Sequence, residues 1–314
     1  MSAHWTERPE GGGRFALKLI FAIALRGGRR LTRLILLPIT LYFFLRRGPE
    51  RRASREFLSR VLQRPASAWD VLRHLHRFAA VILDRVYLLA TDCSQFEMHR
   101  HGLEGILEKY YEGRGLLMLG AHIGSFEVLR VLSLERPDVK VKVLLDKSQT
   151  PEMTDLLHSL NPKIGDTVID AAEGGTGVVL ALKDATEQGA LIAFLADRAR
   201  PHEPTRDVQF LGRPAPLPVA PYLIASALDV PVVLCFGMYR GGNRYDLYFE
   251  TFAERIDIPR AERQVRLQFW LDAYAARLEH YARMDPYNWF NFYDFWKSNR
   301  LADAEPAAVQ PRSV

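Results

Sequence analysis

The chain has 314 residues, 48% of them apolar and 25% charged, which is material for one large core with an appendage. That balance excludes collagen-like, mucin-like and wholly disordered chains. Two cysteines, Cys93 and Cys235, are too few for a disulfide framework or a cysteine-based zinc site and suit a reducing compartment. The net charge of +5 is unevenly spread: residues 1–60 hold 13 Lys/Arg against 4 Asp/Glu, and the remainder is net acidic. A nucleic-acid-binding body would carry the charge itself, so this asymmetry points to a membrane surface as partner and away from nucleic acid.

The N-terminal segment carries two apolar runs, Phe15–Leu25 and Leu34–Leu45. Arg26, Arg29, Arg30 and Arg33 lie between them, and Arg46, Arg47, Arg51, Arg52 and Arg55 follow. Neither run reaches the length a spanning helix needs. Joined, they would bury four arginines at about 2.5–3.5 kcal/mol each. The arrangement predicts a basic helical region, residues 1–63, lying in the membrane interface with its arginines on lipid phosphates. The alternative is a helix pair packed on the domain with a solvated basic face. Pro38 is expected to kink the second helix. Basic residues on both sides of the runs, with no small-residue cleavage site, do not make a signal peptide.

Residues 67–90 repeat apolar positions at helical spacing behind Ser67 as N-cap; His74, His76 and Arg77 read as its solvated face. Short apolar runs then predict strands at Leu116–Leu119, Val141–Leu145, Val168–Ile169, Leu191–Leu195 and Val230–Phe236. Helical stretches fall between them near 125–134, 152–160, 173–187 and 217–228. Near-continuous apolar strands separated by helices indicate an α/β domain, residues 64–301, with a mainly parallel, mixed sheet flanked by helices. Tyr245–Phe252 alternates and reads as an antiparallel edge strand, reached through a hairpin turn at Arg240-Gly-Gly-Asn-Arg244. Residues 260–283 form a last helix. His99-Arg-His101 is a short alternating segment and not a ligand set. The Ala/Pro-rich tail, 302–314, reads as disordered.

One junction carries chemistry. In LLMLGAHIGSFEVLR (116–130) a strand runs into Gly120-Ala121-His122, and Gly124-Ser125 opens a helix carrying Glu127. Strand ends are where α/β sheets collect their reactive groups. Four pairs in the chain share the His-x-x-x-x-acid spacing: His99/Glu104, His122/Glu127, His202/Asp207 and His280/Asp285. Only the second follows a buried strand and precedes a helix at a glycine turn. On a continuous helix the two would face about 140° apart; they meet only with His122 in the turn and Glu127 in the first helical turn, with Ser125 as N-cap. Such a pair supports general-base catalysis, a carboxylate fixing the tautomer of a neutral imidazole. The Gly-x-Ser-x-Gly nucleophile elbow is absent, which favours direct transfer in a ternary complex. The alternative is a histidine satisfied by backbone at a crowded turn.

The ordered set of motifs resembles the lipid A late acyltransferases, the lauroyl/myristoyl transferase family with its His-x-x-x-x-Asp/Glu motif. The basic apolar N-terminus is followed by the strand–GAH–helix unit, FLADR (194–198), FLGRPAPLPVAPYLIASALDVPVV (210–233) and DPYNWFNFYDFWK (285–297). The resemblance implies His122 as base and Glu127 as its orienting acid. Gly124 and Ser125 form the turn at the substrate, and Asp197 and Arg198 a second cluster beside the dyad, with Arg198 on an oxyanion or a phosphate. It further implies an acyl carrier protein donor, a hydroxyl acceptor on a lipid or glycolipid, the cytoplasmic face of the inner membrane, and neither cofactor nor metal. Asn288 stands where the family has Gln, and Val219-Ala220 replaces an expected Gly; the match is closer to a branch found near aryl-polyene clusters. An acyl-CoA-dependent glycerolipid acyltransferase shares the dyad spacing but normally carries Asp, and a non-catalytic lipid-binding protein of the same fold is the third reading. Seven of the ten residues 287–296 are aromatic, a core-packing segment or, through Trp289 and Trp296, a membrane-interface belt.

Overall fold

A computed structural model describes residues 14–90, 93–127, 136, 138–146, 167–171, 175–200 and 203–296. The expected helix at 152–160, most of the one at 125–134, His202 and the C-terminal tail lie outside these residues. The described helices are α1 (Arg14–Arg46), α2 (Gly48–Val61), α3 (Ala68–Ala90), α4 (Leu103–Tyr111), α5 (Gly175–Glu187), α6 (Ala220–Leu228) and α7 (Arg263–Met284). The strands are β1 (Glu97–His101), β2 (Leu116–Gly120), β3 (Val141–Leu145), β4 (Val168–Asp170), β5 (Leu191–Leu195), β6 (Thr205–Phe210), β7 (Arg213–Pro218), β8 (Val232–Gly241) and β9 (Arg244–Ala253).

Seven strands form one sheet in the order β1-β9-β8-β2-β5-β3-β4, every neighbour parallel except the β8–β9 hairpin. β2 is buried along its whole length, which is why it reads as an unbroken apolar run instead of an alternating one. Its odd and even positions enter different layers. Leu117 and Leu119 join Phe57, Leu58 and the residues of α6 and α7, while Leu116 and Met118 join Leu36, Leu83 and Tyr110 beneath α1, α3 and α4. The N-terminal helices therefore contribute to the same core as the sheet.

Four features differ from the sequence reading. β9 is not an edge, because β1 pairs beside it in parallel. β1 shows mostly exposed side chains and joins chiefly by its backbone, with Met98 alone reaching the core, so no apolar run announces it. β6 and β7 form a separate antiparallel ribbon whose turn sets Leu211 and Gly212 at positive φ. β7 holds Pro214, Pro216 and Pro218, which is tolerated where a strand has only one partner. In α1 the break is at Gly28, with φ 73 and ψ 165, while Pro38 sits inside helical geometry. Finally, Arg29 and Arg33 do not face outward: both bond the fully buried Asp84 of α3, at 2.8 and 3.0 Å, and Tyr245 donates to the same carboxylate at 3.0 Å. These bonds staple α1 to the body.

The opposite face of α1 is unpartnered. Leu31, Leu34, Leu37, Leu41, Tyr42 and Leu45 are exposed, recurring every three or four residues on one side of the helix. Exposed Arg26, Arg30 and Arg46 flank them. Among the described residues no helix is long and apolar enough to cross a membrane.

Candidate active site

β2 and β5 are adjacent and parallel, with Gly120 opposite Leu195. Two residues beyond each strand end stand His122 and Asp197, so strand register alone brings them face to face. The bond from Ala196 N–H to the Gly120 carbonyl at 3.0 Å carries the pairing one step past the strands. One carboxylate then clasps one histidine twice: Asp197 Oδ1 lies 2.7 Å from His122 Nδ1, and Oδ2 accepts the His122 backbone N–H at 3.0 Å. The Trp289 indole N–H also donates to Oδ2, at 3.0 Å.

The turn after β2 is pinned by the segment that follows α7. Phe290 N–H donates to the His122 carbonyl and Gly124 N–H to the Asn288 carbonyl, both at 2.8 Å, while Ser125 N–H donates to Gly237 O of β8. Gly124 has φ +62, and a Cβ there would meet the Gly237 carbonyl oxygen at 1.9 Å. Only glycine fits this crossing. Asn288 is fully buried and its amide bonds both backbone groups of Tyr239, at 2.8 and 3.1 Å. It closes the end of β8 as a further strand would. The substitution for Gln is thus a complete bonding arrangement.

The charges sort the roles. Burial pushes Asp197 up, but His122, Arg198 and the Trp289 indole outweigh it and hold the carboxyl well below the usual carboxylate range. Burial lowers His122, the Arg198 charge lowers it further, and Asp197 and Glu127 only partly oppose this, so its pKa lies below 6.5. Both carboxylates raise it, as negative neighbours do, but desolvation and Arg198 outweigh them. An ionised Asp197 takes the Nδ1 hydrogen, leaving the Nε2 lone pair free to accept a proton. The His122 side chain is 32% exposed while Asp197 is sealed; the pair is open on the imidazole side only.

The residues singled out in the sequence are placed as follows. Glu127 does not bond the ring; its carboxylate pairs with Arg85 of α3 and reaches His122 through charge alone. Asp197 holds the ring nitrogen. Arg198 donates to the Phe290 carbonyl and lies over the Tyr293 ring, 5.5 Å from its centroid. Ser125 does not cap: its hydroxyl is buried without a partner among the described residues. Trp289 is fully buried against Phe57, Phe210 and Phe295, so the aromatic segment packs the core, and its indole supports Asp197. His74, His76 and Arg77 are not a solvated face. His74 is fully buried, His76 lies 3.2 Å from the Thr40 hydroxyl, and Arg77 bonds Asp285 at 2.6 Å and the Tyr239 carbonyl. Their partners come from α1, α2, β8 and the segment after α7, which local periodicity cannot reveal. Arg240 and Arg244 form the hairpin and pair with Asp246. Among the described residues no group of His, Cys, Asp and Glu could hold a metal.

An apolar pocket lies between α4 and the sheet. Its cavity volume is about 50 Å³, and Leu107, Tyr110, Met118, Phe126, Val143 and Ala193 are among its walls. Met118 and Phe126 bracket His122 in the chain, four residues to either side, so the strand that delivers the imidazole also forms the pocket wall.

A comparison with curated proteins gave no match. The family model described as bacterial lipid A biosynthesis acyltransferase matches residues 75–298, a span that takes in the whole sheet, His122, Asp197 and Trp289. With this match over most of its length, the chain belongs to the bacterial lipid A biosynthesis acyltransferases.

Proposed function

We propose that the protein transfers a fatty acyl chain from acyl carrier protein to a hydroxyl of a lipid or glycolipid acceptor, with His122 as general base. The observation that carries this reading is the 2.7 Å contact of Asp197 with Nδ1 of a histidine whose side chain is about a third exposed. The acceptor O–H gives its proton to Nε2 as its oxygen attacks the thioester carbonyl. The tetrahedral intermediate collapses, the C–S bond breaks, and the imidazolium returns the proton to the departing thiolate. Ester and thiol result, a balance that calls for neither metal nor nucleotide. Asp197 orients the base and stabilises its cation. Glu127 contributes charge, Arg198 fixes the Phe290 backbone beside the ring, and Gly124 and Ser125 shape the turn. The pocket between α4 and the sheet has the apolar lining that an acyl tail needs.

The leucine stripe of α1, flanked by Arg26, Arg30 and Arg46, supports interfacial attachment to an anionic membrane surface, in this reading the cytoplasmic face of the inner membrane. The basic region 1–63 then serves as anchor and the α/β body, 64–301, as catalyst. The test is His122→Ala assayed for thiol release from lauroyl–acyl carrier protein with a lipid A precursor as acceptor. Release at the unaltered rate refutes the mechanism. Competition between acyl-CoA and acyl carrier protein thioesters decides the donor, and mass spectrometry of lipids from cells with and without the protein identifies the acceptor.

A further inference from the structure

His74 is fully buried on α3, 0% exposed, and both its ring nitrogens are engaged. Nε2 lies 2.9 Å from the Trp289 carbonyl oxygen and Nδ1 2.9 Å from the Ser54 hydroxyl of α2. A carbonyl only accepts, so Nε2 carries the hydrogen; Nδ1 is then an acceptor, and the Ser54 hydroxyl donates to it. Phe57, Phe290 and Phe292 surround the ring, with centroids 5.8, 6.1 and 4.7 Å away. Burial lowers the His74 pKa to about 4, so the ring is neutral over the working range; the Trp289 carbonyl sets its tautomer, and the Ser54 hydroxyl holds the other nitrogen. The residue whose backbone it grips, Trp289, is the one whose indole donates to Asp197, and Asp197 holds His122.

We infer that His74, held in place by Ser54, is a positioning residue for the acyl-transfer base: it fixes Trp289, and through the indole fixes the Asp197 carboxylate against His122. The chain of contacts runs α2, α3, the segment after α7, the end of β5 and the end of β2, so the N-terminal helices take part in orienting the base. This inference rests on His122 acting as that base. The charged and titratable groups facing His122 are Asp197 and Arg198 beyond β5, Glu127 with Arg85 of α3, and Tyr293 beside Arg198. Arg77 of its own helix is the charge acting on His74. When the indole is displaced, Asp197 keeps more of its charge for the imidazolium, so the His122 pKa rises and the acid limb of the rate profile moves to higher pH.

The experiment compares His74→Phe, His74→Gln, Ser54→Ala and His122→Ala in the full chain. Thiol release from lauroyl–acyl carrier protein to a lipid A precursor is measured against pH, with thermal melts to establish folding. His74→Phe is expected to lower kcat on the order of tenfold with KM within about twofold, and to shift the acid limb upward. His74→Gln, whose amide can donate to the Trp289 carbonyl, recovers part of both. A folded His74→Phe protein with the original kcat, or with a lowered kcat and an unmoved acid limb, overturns the inference. If His74→Phe does not fold, Ser54→Ala decides: an upward shift of smaller size supports the inference, and an unmoved limb overturns it. Activity retained in His122→Ala removes the base itself, which is a separate failure from an unmoved limb in the His74 and Ser54 variants.

Discussion

Asp197→Asn gives the most discriminating perturbation, because the structure dictates which way the new amide must face. Oδ2 accepts two hydrogens, from the His122 backbone and from the Trp289 indole, each at 3.0 Å. An NH2 group there would confront two donors, so the asparagine oxygen takes that place and its nitrogen takes the place of Oδ1, opposite Nδ1. Nδ1 must then accept, and the ring hydrogen moves to Nε2. The base is left without the lone pair it needs.

Two losses follow. The charge-assisted bond to the imidazolium contributes about 1.5–3 kcal/mol, a factor of roughly 10–100 in rate. Tautomer reversal adds to this, and the same change in a Ser-His-Asp triad lowers kcat by about 10⁴. A kcat loss on the order of 10³–10⁴ is therefore expected, with little change in melting behaviour because the bonds to Oδ2 persist. Thiol release from lauroyl–acyl carrier protein measures it, beside a thermal melt. A folded Asp197→Asn enzyme with kcat within about threefold of the original would refute the orientation argument.

The pH dependence has a definite sign. His122 must be neutral to act and its pKa lies below 6.5, so the rate is full at neutrality and falls only as pH drops beneath 6.5; a half-maximal rate above that value contradicts it. His74 is fully buried with its pKa lowered to about 4, whereas the unfolded ring takes up a proton near 6.5. Its contribution is present above 6.5 and lost as pH falls towards 4, about 3 kcal/mol in all; urea unfolding at pH 7 and pH 4.5 should therefore show a smaller difference in His74→Gln than in the parent. Ala193→Phe narrows the pocket between α4 and the sheet and should shift donor preference to shorter chains, read by competition among acyl carrier protein thioesters of different length. Leu34→Glu with Leu41→Glu places charge in the exposed stripe of α1 and should weaken sedimentation with anionic vesicles at least tenfold while leaving the thermal melt unchanged. Unaltered co-sedimentation would remove α1 from the membrane contact.

The legible parts of this chain are those whose signal is local. β2 and β5 are read as unbroken apolar runs because both faces of a central parallel strand are covered, β3 is legible despite Lys142, and α3 and α7 follow from three- and four-residue spacing. β1 and the β6–β7 ribbon have weaker signatures: β1 is mostly exposed and joins through its backbone, and three prolines mask β7 as a loop. The reactive histidine is legible for the same local reason, since His122 stands at the end of a run that can only be a buried strand.

Its partner is not, and the geometry explains why. A His-x-x-x-x-acid spacing is a statement about one segment, whereas the acid that reaches Nδ1 comes from the neighbouring strand, 75 residues away. It is identified by the fact that β2 and β5 are in register at Gly120 and Leu195, information that lies in pairing and not in sequence order. Glu127, on the local pattern, is taken up by Arg85 from α3, and His74 of α3 reads as solvated because the segment that binds it lies more than 200 residues downstream. A parallel sheet builds its site from strand ends that are remote in the chain. Motif spacing therefore locates such a site through its first residue and leaves the second to be found by asking which strand lies alongside, two residues past the same level.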